Sequence, residues 1–153
     1  MKRKSAIVVF LLLLSCSSSF AQRFIYASAL SSEGVLMCRY EVKEYEGNAF
    51  SLNAIEDTIS VSQAGNIFAL QVIYILNNQL RTAPVAGFEM WIIQPQKDTL
   101  RLSSSGAKIT GEMKKQLEEI KSNTRLVFVG IRAMPEEASS VLRGICALLY
   151  YVR

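Results

Sequence analysis

Hydrophobic residues recur at every second position over much of this chain, the period of a pleated strand rather than of a helix. Residues 24–30 read as a first strand. In residues 35–43, Leu36, Cys38, Tyr40 and Val42 share one face, while the other mixes Val35 and Met37 with Arg39 and Glu41. Gly47 and Asn48 supply a turn, residues 49–55 are weakly patterned, and residues 58–62 form a short β-branched run closed by Ala64-Gly65-Asn66. Residues 67–76 are apolar on both faces except for Gln71, as in a central strand covered on both sides. Asn77-Asn78 opens a polar connection that runs through Pro84. Residues 87–94 are then a buried strand carrying the sole tryptophan, Trp91, and Pro95 ends it for want of a ladder N–H. Residues 98–102 alternate again, with Leu100 and Leu102 assigned to the core face.

The period changes once. Thr110 is placed to cap a helix, Glu112 falls in its first turn, and Met113, Leu117 and Ile120 recur at i, i+4 and i+7. Lys114, Lys115, Glu118, Glu119 and Lys121 fill the rest, so the helix covers one end of a sheet with a narrow apolar stripe. Residues 126–132 and 145–152 predict two closing strands, joined by a polar loop around Pro135-Glu136-Glu137. Seven to eight strands with one late amphipathic helix predict a mostly β fold, an immunoglobulin-like β-sandwich.

The N-terminus follows different rules. Lys2, Arg3 and Lys4 precede the uncharged apolar run 6–14, and small residues lead to Ser19-Phe20-Ala21. That order of charge, apolar core and small residues is a secretory signal peptide, residues 1–21, leaving 22–153 as a single exported domain. The apolar run makes about 14 Å of helix, short of a ~30 Å bilayer core. A second reading stands beside it: Leu13-Leu14-Ser15-Cys16 has the form of a lipobox, in which Cys16 is acylated and anchors the chain in the envelope.

Composition changes the picture mainly by exclusion. The formal charge of +4 includes the three basic residues of the leader; the remainder carries 14 basic against 13 acidic residues. No Lys/Arg stripe is left to neutralise phosphates, so no nucleic-acid partner is expected. Histidine is absent, which removes Ser-His and Cys-His nucleophiles and imidazole metal sites. No metal, cofactor or catalytic residue is assigned, and the chain reads as a non-enzyme. Cys38 and Cys146 are the two cysteines beyond Cys16, each in an apolar stretch. They are either a disulfide closing a loop of about a hundred residues, worth roughly 4–5 kcal/mol in the chain-entropy account, or two buried thiols that never meet.

Few residues invite a chemical role. Glu89 sits inside Phe88-Glu89-Met90-Trp91, either as a carboxylate with raised pKa in an apolar pocket or as an outward residue beside Trp91. Arg132 and Arg143 flank the Glu136-Glu137 loop and suit a local surface ion pair. Tyr150 and Tyr151 fall on opposite faces of the last strand, one for the core and one for an interface. If that strand is a sheet edge, Tyr150, Tyr151 and Val152 offer a binding site for a partner strand. The polar connection 77–85 is a second candidate for binding.

The last fifty residues also carry a resemblance. Ser105-Gly106-Ala107-Lys108-Ile109-Thr110-Gly111-Glu112-Met113, followed by Thr124-Arg125-Leu126-Val127-Phe128-Val129-Gly130-Ile131-Arg132-Ala133, resembles the C-terminal domain of GldM (PorM), the periplasmic gliding-motility and type IX secretion protein. The similarity runs from about residue 103 to 152 and rests on structural motifs. GldM couples to a motor partner through an N-terminal transmembrane helix for which this chain has no room. The family's glycine-containing turn and the arginine before its last strand are replaced here by Glu137-Ala138-Ser139-Ser140. The resemblance implies a free-standing, non-catalytic periplasmic interaction domain. Its partners would be envelope proteins such as secretion or motility subunits, or a second copy in a homodimer. Membrane contact is expected only through a lipidated Cys16. The competing reading is an exported β-sandwich binding module or lipoprotein unrelated to that machine.

Overall fold

The computed structural model describes residues 25–37, 39–45, 49–76, 79–134 and 147–153, and for residues 25–26, 39–45, 49–54 and 74–76 the backbone alone. The expected leader with Cys16, the cysteines Cys38 and Cys146, Asn77-Asn78, and the 135–146 stretch with Glu136, Glu137 and Arg143 lie outside the described residues. In chain order the first strands are β1 (Ile25–Ser31), β2 (Gly34–Met37), β3 (Arg39–Tyr45), β4 (Ala49–Ile55) and β5 (Asp57–Ile59). A short helix α1 (Val61–Gly65) leads to β6 (Ile67–Leu76), β7 (Gln79–Ala83), β8 (Val85–Ile93) and β9 (Leu100–Ser104). Helix α2 (Gly111–Glu118), β10 (Thr124–Ala133) and β11 (Leu148–Val152) complete the order.

The fold is mostly β, as the alternation predicts, and two larger sheets share one core. One runs β2-β1-β6-β7 and the other β5-β11-β10-β8-β9, while β3 and β4 pair as a two-stranded hairpin. Every pairing is antiparallel except β11 with β5, which is parallel. Core side chains alternate along each strand: Ala27 and Ala29 on β1, Leu70 and Val72 on β6, Phe88, Met90 and Ile92 on β8, Leu126 and Phe128 on β10. The rings of Phe88 and Phe128 meet edge to face at 5.8 Å, and Phe128 meets Tyr150 likewise at 6.4 Å. This aromatic row crosses β8, β10 and β11. At its end the fully buried Tyr150 hydroxyl donates to the Leu36 carbonyl oxygen at 2.7 Å, joining the five-stranded sheet to the edge of the four-stranded one.

Helix α2 forms as its spacing predicts. Thr110 caps it by accepting from the Met113 N–H at 3.3 Å, and Met113, Leu117 and Ile120 are buried. The segment before it, residues 107–109, adds to β6: the Leu70 N–H donates to Ala107 O and the Ile109 N–H to Phe68 O. The helix therefore closes one end of the sandwich from both sheets, and Lys114 Nζ donates to Gly65 O at 2.7 Å to hold α1 beside it.

Several expectations are corrected. Residues 35–43 are two strands in different sheets, and eleven strands rather than seven or eight occur among the described residues. The β-branched run 58–62 stops at Ile59, because Ser60 and Gln63 form a reciprocal capping box that starts α1. The connection 77–85 contains β7, paired to β6 from Val72 through Leu76. Phe68 is half exposed, so β6 is not covered on both faces, and Leu100 opens β9 at the sheet edge instead of facing the core.

Two expected outcomes follow from this frame. Tyr150→Phe keeps the ring and removes the hydrogen bond between the sheets, so it should cost about 0.5–1.5 kcal/mol, read as a lower denaturant midpoint at unchanged m. In the β1–β2 turn, hydrogen bonds from Ser62 and Asn66 hold the Glu33 carboxyl below its ordinary value of 4.5. A depressed folded pKa makes this contact stabilising above the unfolded-chain value and lost as pH falls through the folded one. An NMR titration should place the Glu33 midpoint below 4.5, and Ser62→Ala should move it back up.

Candidate protein-interaction surface

The outer face of the five-stranded sheet is where the strand order gathers residues that sequence alone leaves scattered. From Glu89 onward, alternate residues of β8 point outward: Glu89 is exposed, while Trp91 and Ile93 are half-buried. Cross-strand pairing sets Trp91 between Arg101 of β9 and Val127 of β10, and Val127 beside Leu149 of β11. The neighbouring row runs Ile93, Arg125, Tyr151, Thr58, and the row on the other side runs Ser103, Glu89, Val129. The result is an apolar strip of Trp91, Val127, Val129 and Leu149 framed by polar and charged groups. Such aromatic and arginine-rich composition is enriched at protein interfaces.

The polar frame is ordered. Trp91 Nε1 donates to Glu89 Oε2 at 2.9 Å, and the Arg101 guanidinium lies 4.4 Å from the Trp91 ring centroid. Arg125 Nε meets Glu56 Oε2 at 2.9 Å, an exposed pair worth ~0–1 kcal/mol. Glu89 is thus the outward residue beside Trp91 and not a pocket carboxylate.

Arg132 reaches this face through two glycines. Outward residues on β10 are Arg125, Val127 and Val129, so strict alternation would turn Ile131 outward. Gly130, at φ +60°, interrupts the pairing between Val129 and Arg132. The extra residue inverts the parity: Ile131 goes fully into the core and Arg132 comes out exposed. Opposite it, Gly87 has no side chain, and one Arg132 guanidinium nitrogen lies 2.3 Å from where a Cβ would stand. The side chain therefore lies across β8 toward β9. It borders an open depression of about 400 Å³ with Glu89, Ser103, Ser105 and Gly130. Among the described residues its guanidinium has no carboxylate partner; Glu136 and Glu137 lie outside them.

The predicted interface on the last strand is corrected by position. β11 is not an edge, because β5 pairs with Tyr150, Tyr151 and Val152 on its far side. Tyr150 and Val152 are fully buried in the core. Of the three, Tyr151 alone faces outward, and its hydroxyl donates to Asn123 Oδ1 at 2.7 Å. A second depression, about 740 Å³ between the β8–β9 turn and the end of α2, mixes Lys97 and Lys121 with Asp98 and Glu119 and converges on no single chemistry. Among the described residues no group of three or more Cys, Asp or Glu side chains is placed to hold a metal ion, and no helix is long and apolar enough to cross a membrane.

Sequence reading sets Glu89 beside Trp91 as one of two alternatives, leaves Arg132 apart with the acidic loop, and assigns no role to Arg101 or Arg125. The signal available for Arg101 is its position two residues from Ser103 in an alternating run; its contact with Trp91 requires the β8–β9 register. In comparison with known proteins, no family model matches this chain and no curated protein matches it significantly.

The sole tryptophan reports on this surface directly. Arg101→Ala should leave the fold intact, lower stability by no more than about 1 kcal/mol, and change Trp91 emission by uncovering the ring. Unchanged emission would show that Arg101 does not cover the ring in solution.

Proposed function

We propose that this chain is an exported, non-catalytic protein-interaction domain. It is an immunoglobulin-like β-sandwich similar to the C-terminal domain of GldM, working at the periplasmic side of a gliding-motility or type IX secretion apparatus. It docks an envelope partner on the outer face of its five-stranded sheet. The observation that carries this reading is the outward strip of half-buried Trp91 and Leu149 on either side of the buried Val127, with arginines at its rim. Its apolar centre gives a partner area to bury, and its polar frame fixes orientation. Support also comes from the GldM-like run of residues 105–133, whose strand β10 supplies Val127, Val129 and Arg132 to that face. The Ser-Phe-Ala leader supports export.

The test is a crosslinked pull-down from intact source cells with a C-terminally tagged chain, read by mass spectrometry. Secretion or motility subunits should be recovered with the native chain and lost with Trp91→Ala and Val127→Asp. Tyr151→Ala should weaken recovery less, being at the margin of the strip. Recovery that ignores Trp91→Ala, or that contains no subunit of either machine, overturns the proposal.

A further inference from the structure

Four features converge on one end of the outer face. Gly130 turns Arg132 outward, and Gly87 leaves its guanidinium room to cross β8. Strand β9 has β8 on one side and no strand on the other among the described residues. The two carboxylates nearest the strip are already engaged, Glu89 with the Trp91 N–H and Glu56 with Arg125. The face therefore presents two guanidinium groups, Arg132 and Arg101, neither in an ion pair among the described residues, with the Glu89 carboxylate on the far wall of the Arg132 depression turned to the Trp91 N–H.

Resting on the reading above, we propose that β9 is the edge on which the partner adds an extended segment, and that Arg132 binds a carboxylate side chain of that segment. Strands in a sheet lie about 4.8 Å apart. An arginine confined to its own strand would be too distant from the edge. With its tip over Gly87, Arg132 stands within about two strand spacings of an added strand, within reach of a glutamate side chain turned back over β9. Guanidinium and carboxylate meet there as a two-pronged, charge-assisted pair. Ser103 and Ser105 line the same depression and supply hydroxyl donors to the remaining lone pairs. The edge itself is open to addition. Its sequence, Leu100-Arg101-Leu102-Ser103-Ser104, holds neither the proline nor the lysine that commonly blocks strand addition. By contrast β5, at the other end of the same sheet, has three residues, and β2 has four. Main-chain bonds along β9 would supply affinity, and the Arg132 carboxylate pair would supply register and selectivity.

The test uses the 15N-labelled chain and three probes: the capped pentapeptide Thr-Val-Glu-Val-Thr, its Thr-Val-Gln-Val-Thr counterpart, and sodium acetate. The glutamate peptide should shift the β9 amides and the Arg132 Nε–H resonance. Replacing glutamate by glutamine should weaken binding at least about fivefold, the loss of one charge-assisted contact. Arg132→Gln should abolish that difference while leaving the spectrum of the fold intact, and Arg132→Lys, which keeps the charge but not the two-pronged geometry, should reduce it. Equal binding of the two peptides, indifference to Arg132→Gln, acetate binding as tightly as the glutamate peptide, or no shift with any probe would each overturn the proposal. If the peptides fail while whole-cell crosslinking still depends on Trp91, carboxylate recognition at β9 falls alone. If both fail, the interaction reading falls with it.

Discussion

The hydrogen bond from Tyr150 to the Leu36 carbonyl is the constraint around which the rest is arranged. Two sheets that share a core attract each other through area alone, which fixes neither their offset nor their rotation. A hydroxyl buried among apolar side chains must find an acceptor or lose about 1–3 kcal/mol, and here the acceptor is the Leu36 carbonyl of β2. That bond sits at the end of the Phe88–Phe128–Tyr150 row, so the edge-to-face geometry of three rings passes into the position of the opposite sheet. Strand β11 is in turn locked from both sides, by β10 and by the parallel β5. The final five-residue strand is thereby the centre of the assembly rather than its margin.

That arrangement decides which surface remains for a partner. With β11 enclosed, the ends of the five-stranded sheet are the three-residue β5 and the longer β9, and the residues nearest β9 acquire importance they lack in sequence. The strip through Trp91, Val127 and Leu149 is partly covered by its own neighbours, Arg101 among them. Arg132 is held by backbone geometry rather than by a partner. One glycine supplies the positive φ that breaks alternation, and the other supplies an absent side chain. A β-bulge beside a functional side chain is a recurrent way to re-aim it, and here it converts a core position into a surface cation.

Much of the fold was legible in sequence, element by element. The cap at Thr110, the burial of Met113, Leu117 and Ile120, and the opposed faces of Tyr150 and Tyr151 all follow from period and local chemistry. The start of α1 was equally available, since Ser60 and Gln63 have capping-box spacing; the β-branched residues around them concealed it. The candidate surface was less legible. Trp91 and Glu89 alternate on one strand, so their shared face was predictable, but Arg101 joins them only through the β8–β9 register. Arg132 was visible as a charge beside an acidic loop, and nothing local predicts that it lies across Gly87, 45 residues earlier in the chain.

What the sequence determined by itself was everything governed by interactions within a few residues: strand and helix periods, one capped helix, an apolar run near the N-terminus, and the absence of histidine. What only the tertiary structure decided was adjacency. Strand order set β5 against β11 and left β9 open, because pairing energy depends on which strands meet and not on their spacing along the chain. Parity at Gly130 was likewise settled in the folded sheet, where placing Ile131 in the core outweighed unbroken alternation. The local pattern names the faces of each strand, and the packed core chooses which of those faces a partner can reach.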